Sequence, residues 1–296
     1  MISKEDKATS RPEPGDRDAG RRTDSGAGGP SVVAPPAVSG RPLISFENVN
    51  KFFGDGAAQL HVVNDVSFAA QSGEFISILG PSGCGKSTMM MMTSGLIPVS
   101  SGTISIGGAA IKGPYTDLGI VFQQDLLMDW RRVLDNVLVQ PEFRGLRVKD
   151  FRARAQALLE LVGLGGFAQR YPYELSGGMR QRVSICRALI HDPDLLLMDE
   201  PFGALDALTR DQLNLDLQRI WQENRKTVLF VTHSIAEAVF LGDRVFVMSP
   251  RPTRILADIA IDLPRPRQLD IRETPEFASY VREITHIFYD MGIFKS

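Results

Sequence analysis

Gly80, Pro81, Ser82, Gly83, Cys84, Gly85, Lys86, Ser87 and Thr88 follow one another without interruption, and their surroundings leave few folds open. The apolar run Phe75 to Leu79 comes directly before them and predicts a buried strand. Met89 to Leu96 comes directly after and predicts a helix. Strand, glycine turn and helix, in that order, make the setting in which a chain cradles phosphate. Gly80, Gly83 and Gly85 let the backbone turn tightly and aim its N–H groups inward at phosphate oxygens. The helix start adds unpaired N–H groups and the positive end of its dipole. Lys86 supplies a point charge for β- and γ-phosphates, and Ser87 a hydroxyl for Mg²⁺. The bare pattern arises by chance in roughly 1% of chains of this length, and the flanking strand and helix make chance rarer still.

The remaining composition narrows the class. With 43% hydrophobic and 23% charged residues, the 296-residue chain has ordinary globular material for a sizeable core. A formal net charge of -2 gives no basic footprint for nucleic acid. No apolar stretch approaches the ~20 residues of a membrane-spanning helix, and the N-terminus has no apolar signal-peptide core. Cys84 and Cys186 are far apart and form no disulfide framework, which fits a reducing, cytoplasmic setting.

Along the chain, residues 1–41 are rich in Gly, Pro, Ser, Ala, Arg and Asp and nearly free of large apolar side chains, so they are expected to be disordered. Strands are expected at Leu43 to Val49, Gln59 to Val63, Val66 to Ala70, Glu74 to Leu79, Thr103 to Ile106 and Leu118 to Phe122. Phe151, Ala155, Leu158, Leu159 and Val162 then fall at helical spacing, and the stretch 125–175 reads as a helical insert. Leu195 to Met198, Thr227 to Val231 and Arg244 to Met248 are further strands, with a helical stripe at Leu213, Leu217, Ile220 and Trp221 between them. This alternation predicts an α/β fold with a mostly parallel core sheet, an antiparallel β subdomain leaning on it and an inserted helical subdomain. A main body of residues 42–262 is expected to carry a helical extension, 263–296. Thr274 caps the helix of that extension, Pro275 opens it and Gly292 ends it.

Two further segments carry chemistry. Leu195-Leu-Leu-Met-Asp-Glu200 is an apolar strand ending in two acids, which its carboxyl end delivers to the phosphate crevice. Asp199 is placed to hold Mg²⁺ through water, and Glu200 to polarise the attacking water as general base. Leu175-Ser-Gly-Gly-Met-Arg-Gln-Arg182 sets Ser176, Gly177 and Gly178 at a helix start, a second anion site. One chain rarely needs two such starts on one γ-phosphate, so the second is expected to face nucleotide held by another copy.

Together, from about Leu43 to about Ile261, these motifs resemble the ATP-binding cassette family of P-loop NTPases, specifically the ATPase subunit of an ABC importer. The resemblance implies ATP and Mg²⁺ as ligands and a homodimer with two composite ATP sites. It implies that Phe53 stacks on adenine and that Gln123, in Val121-Phe-Gln123, approaches Mg²⁺ and the attacking water. It implies that His233 contacts the γ-phosphate and that Ala204-Leu205-Asp206 lets each copy sense the other's site. Two departures stand out. Met179 replaces the commonest glutamine of the signature, which is not a phosphate ligand. Met128-Asp129-Trp130 replaces a more usual segment with proline before tryptophan, where the family contacts its permease. Cys84, at a helix start, is expected to be alkylated with loss of activity and to be protected by ATP; Cys186 is expected to pack in the helix after the signature.

The complete motif set in one cassette without a membrane span implies an ATPase on the cytoplasmic face of the inner membrane. Its implied partners are transmembrane permease subunits and, indirectly, an extracytoplasmic solute-binding protein. Asp199 to Arg210 resembles the branch for nitrate, sulfonate and taurine. Rival readings are a soluble cassette ATPase acting on DNA or ribosomes, an importer subunit for an unrelated solute, and a non-hydrolysing regulatory module. The stretch between Thr88 and Asp199 is too short for the coiled coils of the DNA-repair type, a single cassette differs from the translation type, and Glu200 with His233 argues against the regulatory one.

Overall fold

Strands covered by helices on both faces are solidly apolar, whereas strands with one face to solvent alternate, and the two kinds sort into two sheets here. The structure, a computed structural model, describes residues 42–56 and 59–293. The leading segment 1–41, expected to be disordered, lies outside the described residues. In chain order the described elements are β1 (Ile44–Phe53), β2 (Leu60–Ala70), β3 (Phe75–Leu79), α1 (Lys86–Thr93), β4 (Ser101–Ile106), β5 (Ala109–Ala110), β6 (Gly119–Val121), α2 (Val133–Val137), α3 (Val139–Phe143), α4 (Val148–Leu161), α5 (Gly177–Leu189), β7 (Leu195–Asp199), α6 (Ala207–Asn224), β8 (Thr227–Thr232), α7 (Ile235–Leu241), β9 (Arg244–Met248), β10 (Ile255–Ala260) and α8 (Pro275–Asp290).

The core sheet runs β10-β9-β3-β8-β7-β6. Its strands are parallel except for β10, which pairs antiparallel with β9. Every residue of β3 and β8 is buried, as a central parallel strand requires. The second sheet, β2-β1-β4-β5, is antiparallel throughout. The chain is thus an α/β protein with the antiparallel subdomain and the helical insert its sequence predicts, the latter formed by α2, α3 and α4.

Several boundaries differ from the expected ones. β1 continues past Val49 to Phe53, and the two short strands expected at 59–63 and 66–70 are one, β2. Asn48 and Asp65, both at φ 49°, mark bulges that break the ladder without ending it. Polar side chains replace the lost ladder bonds: Asn50 Oδ1 accepts from the Asp65 N–H at 2.9 Å, and Asn48 Nδ2 donates to Asp65 Oδ1 at 2.9 Å. Asn and Asp tolerate this left-handed backbone and bond locally, so they mimic a turn in the sequence. β10 and the short α7 had no periodic signal of their own.

The tail behaves as its caps suggest. Thr274 accepts from the Phe277 N–H at 3.3 Å, Pro275 opens α8 and Gly292, at φ 68°, follows its end. Phe277, Ile284 and Phe288 are buried in the same core as α7. Ahead of α8, Arg267 is 1% exposed. Its guanidinium donates to the carbonyls of Val239, Phe240 and Gly242 at 2.8–2.9 Å, the last turn of α7. Burial pushes its pKa down to about 10.

Candidate nucleotide site

The glycine loop joins β3 to α1 as a narrow arch pressed on the body of the protein. Gly83 has φ 71° and Gly85 φ 129°, conformations that L side chains rarely adopt. A Cβ on Gly85 would stand 3.1 Å from Thr253 Cγ2 and from Val62 Cγ1, and one on Gly80 2.8 Å from Met248 Cβ. Pro81 is half-buried, while Ser82, Gly83 and Ser87 are exposed along the arch and Thr88 turns partly inward. No side chain caps the start of α1, so its first N–H groups remain for a ligand. Lys86 is 4% exposed. Its ammonium donates to the carbonyls of Gly80 and Pro81 at 2.8 and 3.0 Å and lies 3.6 Å from Glu200 Oε1.

Strand order explains what faces the arch. β8 lies between β3 and β7, and β6 lies beyond β7. The residues after the carboxyl ends of these parallel strands therefore line one edge: Lys86 and Ser87 after β3, Gln123 after β6, Glu200 after β7, His233 after β8. Asp199 closes β7, and burial holds its carboxyl above the usual carboxylate range. A hydrogen bond to the Ser87 side chain and the charge of Lys86 pull it down, and the charge of Glu200 pushes it up. Its Oδ1 is buried without a hydrogen-bond partner. Glu200 takes the left-handed conformation, φ 45°, with its N–H donating to the Val231 carbonyl at 3.0 Å. That turn sends its carboxylate toward His233, whose Nδ1 lies 3.3 Å from Glu200 Oε2. A Cβ built on Gly203 would stand 3.5 Å from Gln123 Nε2 and 3.8 Å from Glu200 Oε2, which places both side chains beside this residue.

The residues fit a hard cation. An orphaned carboxylate oxygen and an adjoining hydroxyl are oxygen donors suited to Mg²⁺. Among the described residues no group of three His, Cys, Asp or Glu forms a cage of its own, as expected for an ion that takes most of its ligands from phosphate and water.

Ser176 to Gly178 sit elsewhere. Ser176 is the N-cap of α5, its hydroxyl accepting from the Met179 N–H at 3.3 Å. α5 packs on α2, α3, α4, β6 and α6, whereas α1 packs on β2, β7 and β8. A Cβ on Gly178 would stand 2.5 Å from Thr209 Cγ2, so the starts of α5 and α6 touch. Asp206 caps α6 by accepting from the Thr209 N–H at 3.0 Å, a bond that holds its carboxyl below the usual range. Phe53 is 41% exposed at the end of β1, with the Lys51 ammonium 4.8 Å from its ring centre. Its exposure fits a stacking platform better than a core position.

One expectation is corrected. Cys84 is 2% exposed and packs beneath the arch with Met89 and Met248. The helix start faces the site, but the thiol points into the core, which removes the basis for ready alkylation. Cys186 is buried as expected, its thiol pushed up to about 12 by burial. Sequence reasoning missed Arg251, whose guanidinium donates to the Gly83 carbonyl at 2.5 and 3.2 Å. It also missed Arg180 and Arg187, which bind Asp125 in the loop after Gln123. Only the Pro250-Arg251-Pro252 triplet hinted at a fixed turn.

A family model described as ABC transporter matches residues 63–203. The taurine import ATP-binding protein TauB of Rhizobium johnstonii is 48% identical, covering 86% of this chain and 99% of its own. An uncharacterized ABC transporter ATP-binding protein of Methanocaldococcus jannaschii is 44% identical over 83% of this chain and 91% of its own. Among solved structures, the dimeric ATP-binding cassette MJ0796 in a post-hydrolysis state with ADP and Pi matches with a TM-score of 0.65 at 30% identity, covering 75% of this chain and 100% of that one. Likeness sustained over nearly the whole length of such relatives gives the arch, the acids and the second helix start a common origin: this chain belongs to the ABC transporter family, as one of its ATP-hydrolysing subunits.

Proposed function

We propose that two copies of this chain bind ATP between them and energise an importer of taurine or a closely related sulfonate. The observation that carries the chemistry is the meeting of Lys86, Ser87, Asp199, Glu200 and His233 at one sheet edge. The solute is supported by relatives named for taurine import at 48% and 42% identity. The segment 42–262 is the cassette in this reading, with 263–296 strapped to it.

The arch N–H groups and Lys86 bind the β- and γ-phosphates, and Phe53 stacks on the adenine. Ser87, Asp199 and Gln123 hold Mg²⁺, which when bound neutralises phosphate charge. Glu200 takes the proton of the attacking water as its oxygen bonds the γ-phosphorus; the bond to the bridging oxygen breaks, and ADP leaves with that electron pair. His233 stays within reach of the γ-phosphate and of Glu200. Ser176, Gly177 and Gly178 of one copy close on ATP held by the other, where Asp206 also lies. Catalysis of this kind is positioning and charge stabilisation.

A groove of about 500 Å³ lies beside the helical insert, lined by Tyr115, Phe122, Met128, Phe143 and Arg187 among others. Phe143, in its lining, is 73% exposed and Trp130, two residues past Met128, is 77% exposed, apolar surface of the kind that a permease covers. Among the described residues no helix is long and apolar enough to cross a membrane. In this reading the chain attaches to the inner membrane's cytoplasmic face through permease subunits. A solute-binding protein delivers the sulfonate on the opposite side.

The test is reconstitution with the permease in vesicles. ATP-dependent accumulation of taurine, absent with a non-hydrolysable analogue, is expected. Accumulation of another solute with no response to sulfonates would remove the solute assignment and leave the ATPase standing.

A further inference from the structure

Glu237, on α7, is 6% exposed and has no part in phosphate binding or water activation. Its carboxylate reaches two loops at once. On one side, Oε2 accepts from the Thr232 hydroxyl at 2.6 Å, and that hydroxyl accepts from the Ser234 N–H at 3.0 Å. These two bonds close the turn from which His233 projects toward Glu200. On the other side, Oε1 lies 3.4 Å from Arg210 Nε. Arg210 Nη2 in turn donates to the Leu205 carbonyl at 3.0 Å, inside the loop Ala204-Leu205-Asp206. Glu237 Oε1 and Arg210 Nε are both buried and neither makes a hydrogen bond, so their ion pair is the contact that offsets the burial of these two atoms.

We propose that Glu237 is a positioning residue that ties the His233 turn to the Ala204–Asp206 loop. A second copy seated against that loop thereby fixes His233 and Glu200 in the arrangement that hydrolyses ATP. This rests on the reading above, in which His233 meets the γ-phosphate and the loop faces the partner copy. Thr232, Glu237, Arg210 and Leu205 form the whole path, with α7 and α6 as its rigid supports. Loss of the negative charge frees Arg210 to turn away, which releases the Leu205 carbonyl. The site still binds ATP, since none of these residues touches the arch.

Glu237→Gln keeps an acceptor for Thr232 but cannot pair with Arg210, and Arg210→Met cuts the same link from the other side. In the full chain each substitution is expected to lower kcat about tenfold while KM for ATP moves less than about twofold. ATP-driven dimerisation should persist, and the double variant should lose no more than the worse single, because both break one link. A merely structural loss would not split kcat from KM in this way. Wild-type kcat in Glu237→Gln, or losses that multiply in the double variant, would overturn the proposal. If the Glu237 variant fails to fold, Arg210→Met alone decides it by the same kcat criterion. Glu200→Gln in the same assay keeps the two readings apart. Turnover in that variant would defeat the catalytic assignment itself, whereas a dead Glu200→Gln beside a fully active Glu237→Gln removes only the coupling.

Discussion

Glu200 occupies a backbone conformation, φ 45°, that costs a non-glycine residue on the order of 1 kcal/mol. The fold sustains it because the Glu200 N–H bonds Val231 and the carboxylate gains Lys86 and His233 as neighbours. Glu200→Gln is expected to keep ATP binding and lower kcat by about 100-fold or more, as removal of a general base does; fluorescent-nucleotide titration and single-turnover hydrolysis measure the two effects. Cys186 makes a different prediction. Its thiol is neutral in the fold up to about 12, against 9.0 for the free group. The unfolded chain therefore releases this proton first, and stability falls by up to about 1.4 kcal/mol per pH unit as pH rises through that window. Denaturant unfolding of Cys186→Ala should lack that part of the alkaline decline. Lys86, Ser87, Asp199 and Glu200 were legible in the sequence because strand ends and a glycine turn dictate where they go. Arg251 and Glu237 were not: Arg251 meets a carbonyl 168 residues away, and only the finished sheet sets that meeting.

The elements differ in how much of themselves they announced. β3, β7 and β8 are apolar runs with turn signals at both ends, and sheet burial leaves such runs few alternatives. The bulged β1 and β2 read as fragments, because Asn48 and Asp65 carry the chemistry of a turn while the flanking residues pair on. The strap before α8 had no signature at all. Arg267 is an arginine among carbonyls, held by geometry that no local pattern encodes. Arg267→Met is expected to destabilise the fold by about 3 kcal/mol or more, since several buried carbonyls lose their donor together. Ile284→Ala, in α8 at 0% exposure, should cost about 2–4 kcal/mol. Chemical denaturation reads both, and nucleotide affinity under native conditions should stay within about twofold in each, because neither residue touches the site.

On the scale of the molecule, each chain carries an arch that grips phosphate and a serine-glycine helix start seated in a different packing neighbourhood. Mg-ATP should therefore convert Glu200→Gln chains from monomer to dimer, seen by light scattering, and Ser176→Arg should prevent the conversion while leaving nucleotide bound to the arch. The order of the motifs set the two helix starts apart along the chain, but the contact between α5 and α6 could not be read from it. A Cβ on Gly178 would stand 2.5 Å from Thr209 Cγ2, so a larger residue there would have to push the Thr209 side chain aside. Ser176 and Asp206, the caps of those two helices, are thereby mounted on a common bearing. A shift of one cap is therefore expected to carry the other with it, and the missing methyl group of Gly178 is what lets the two helix starts come that close.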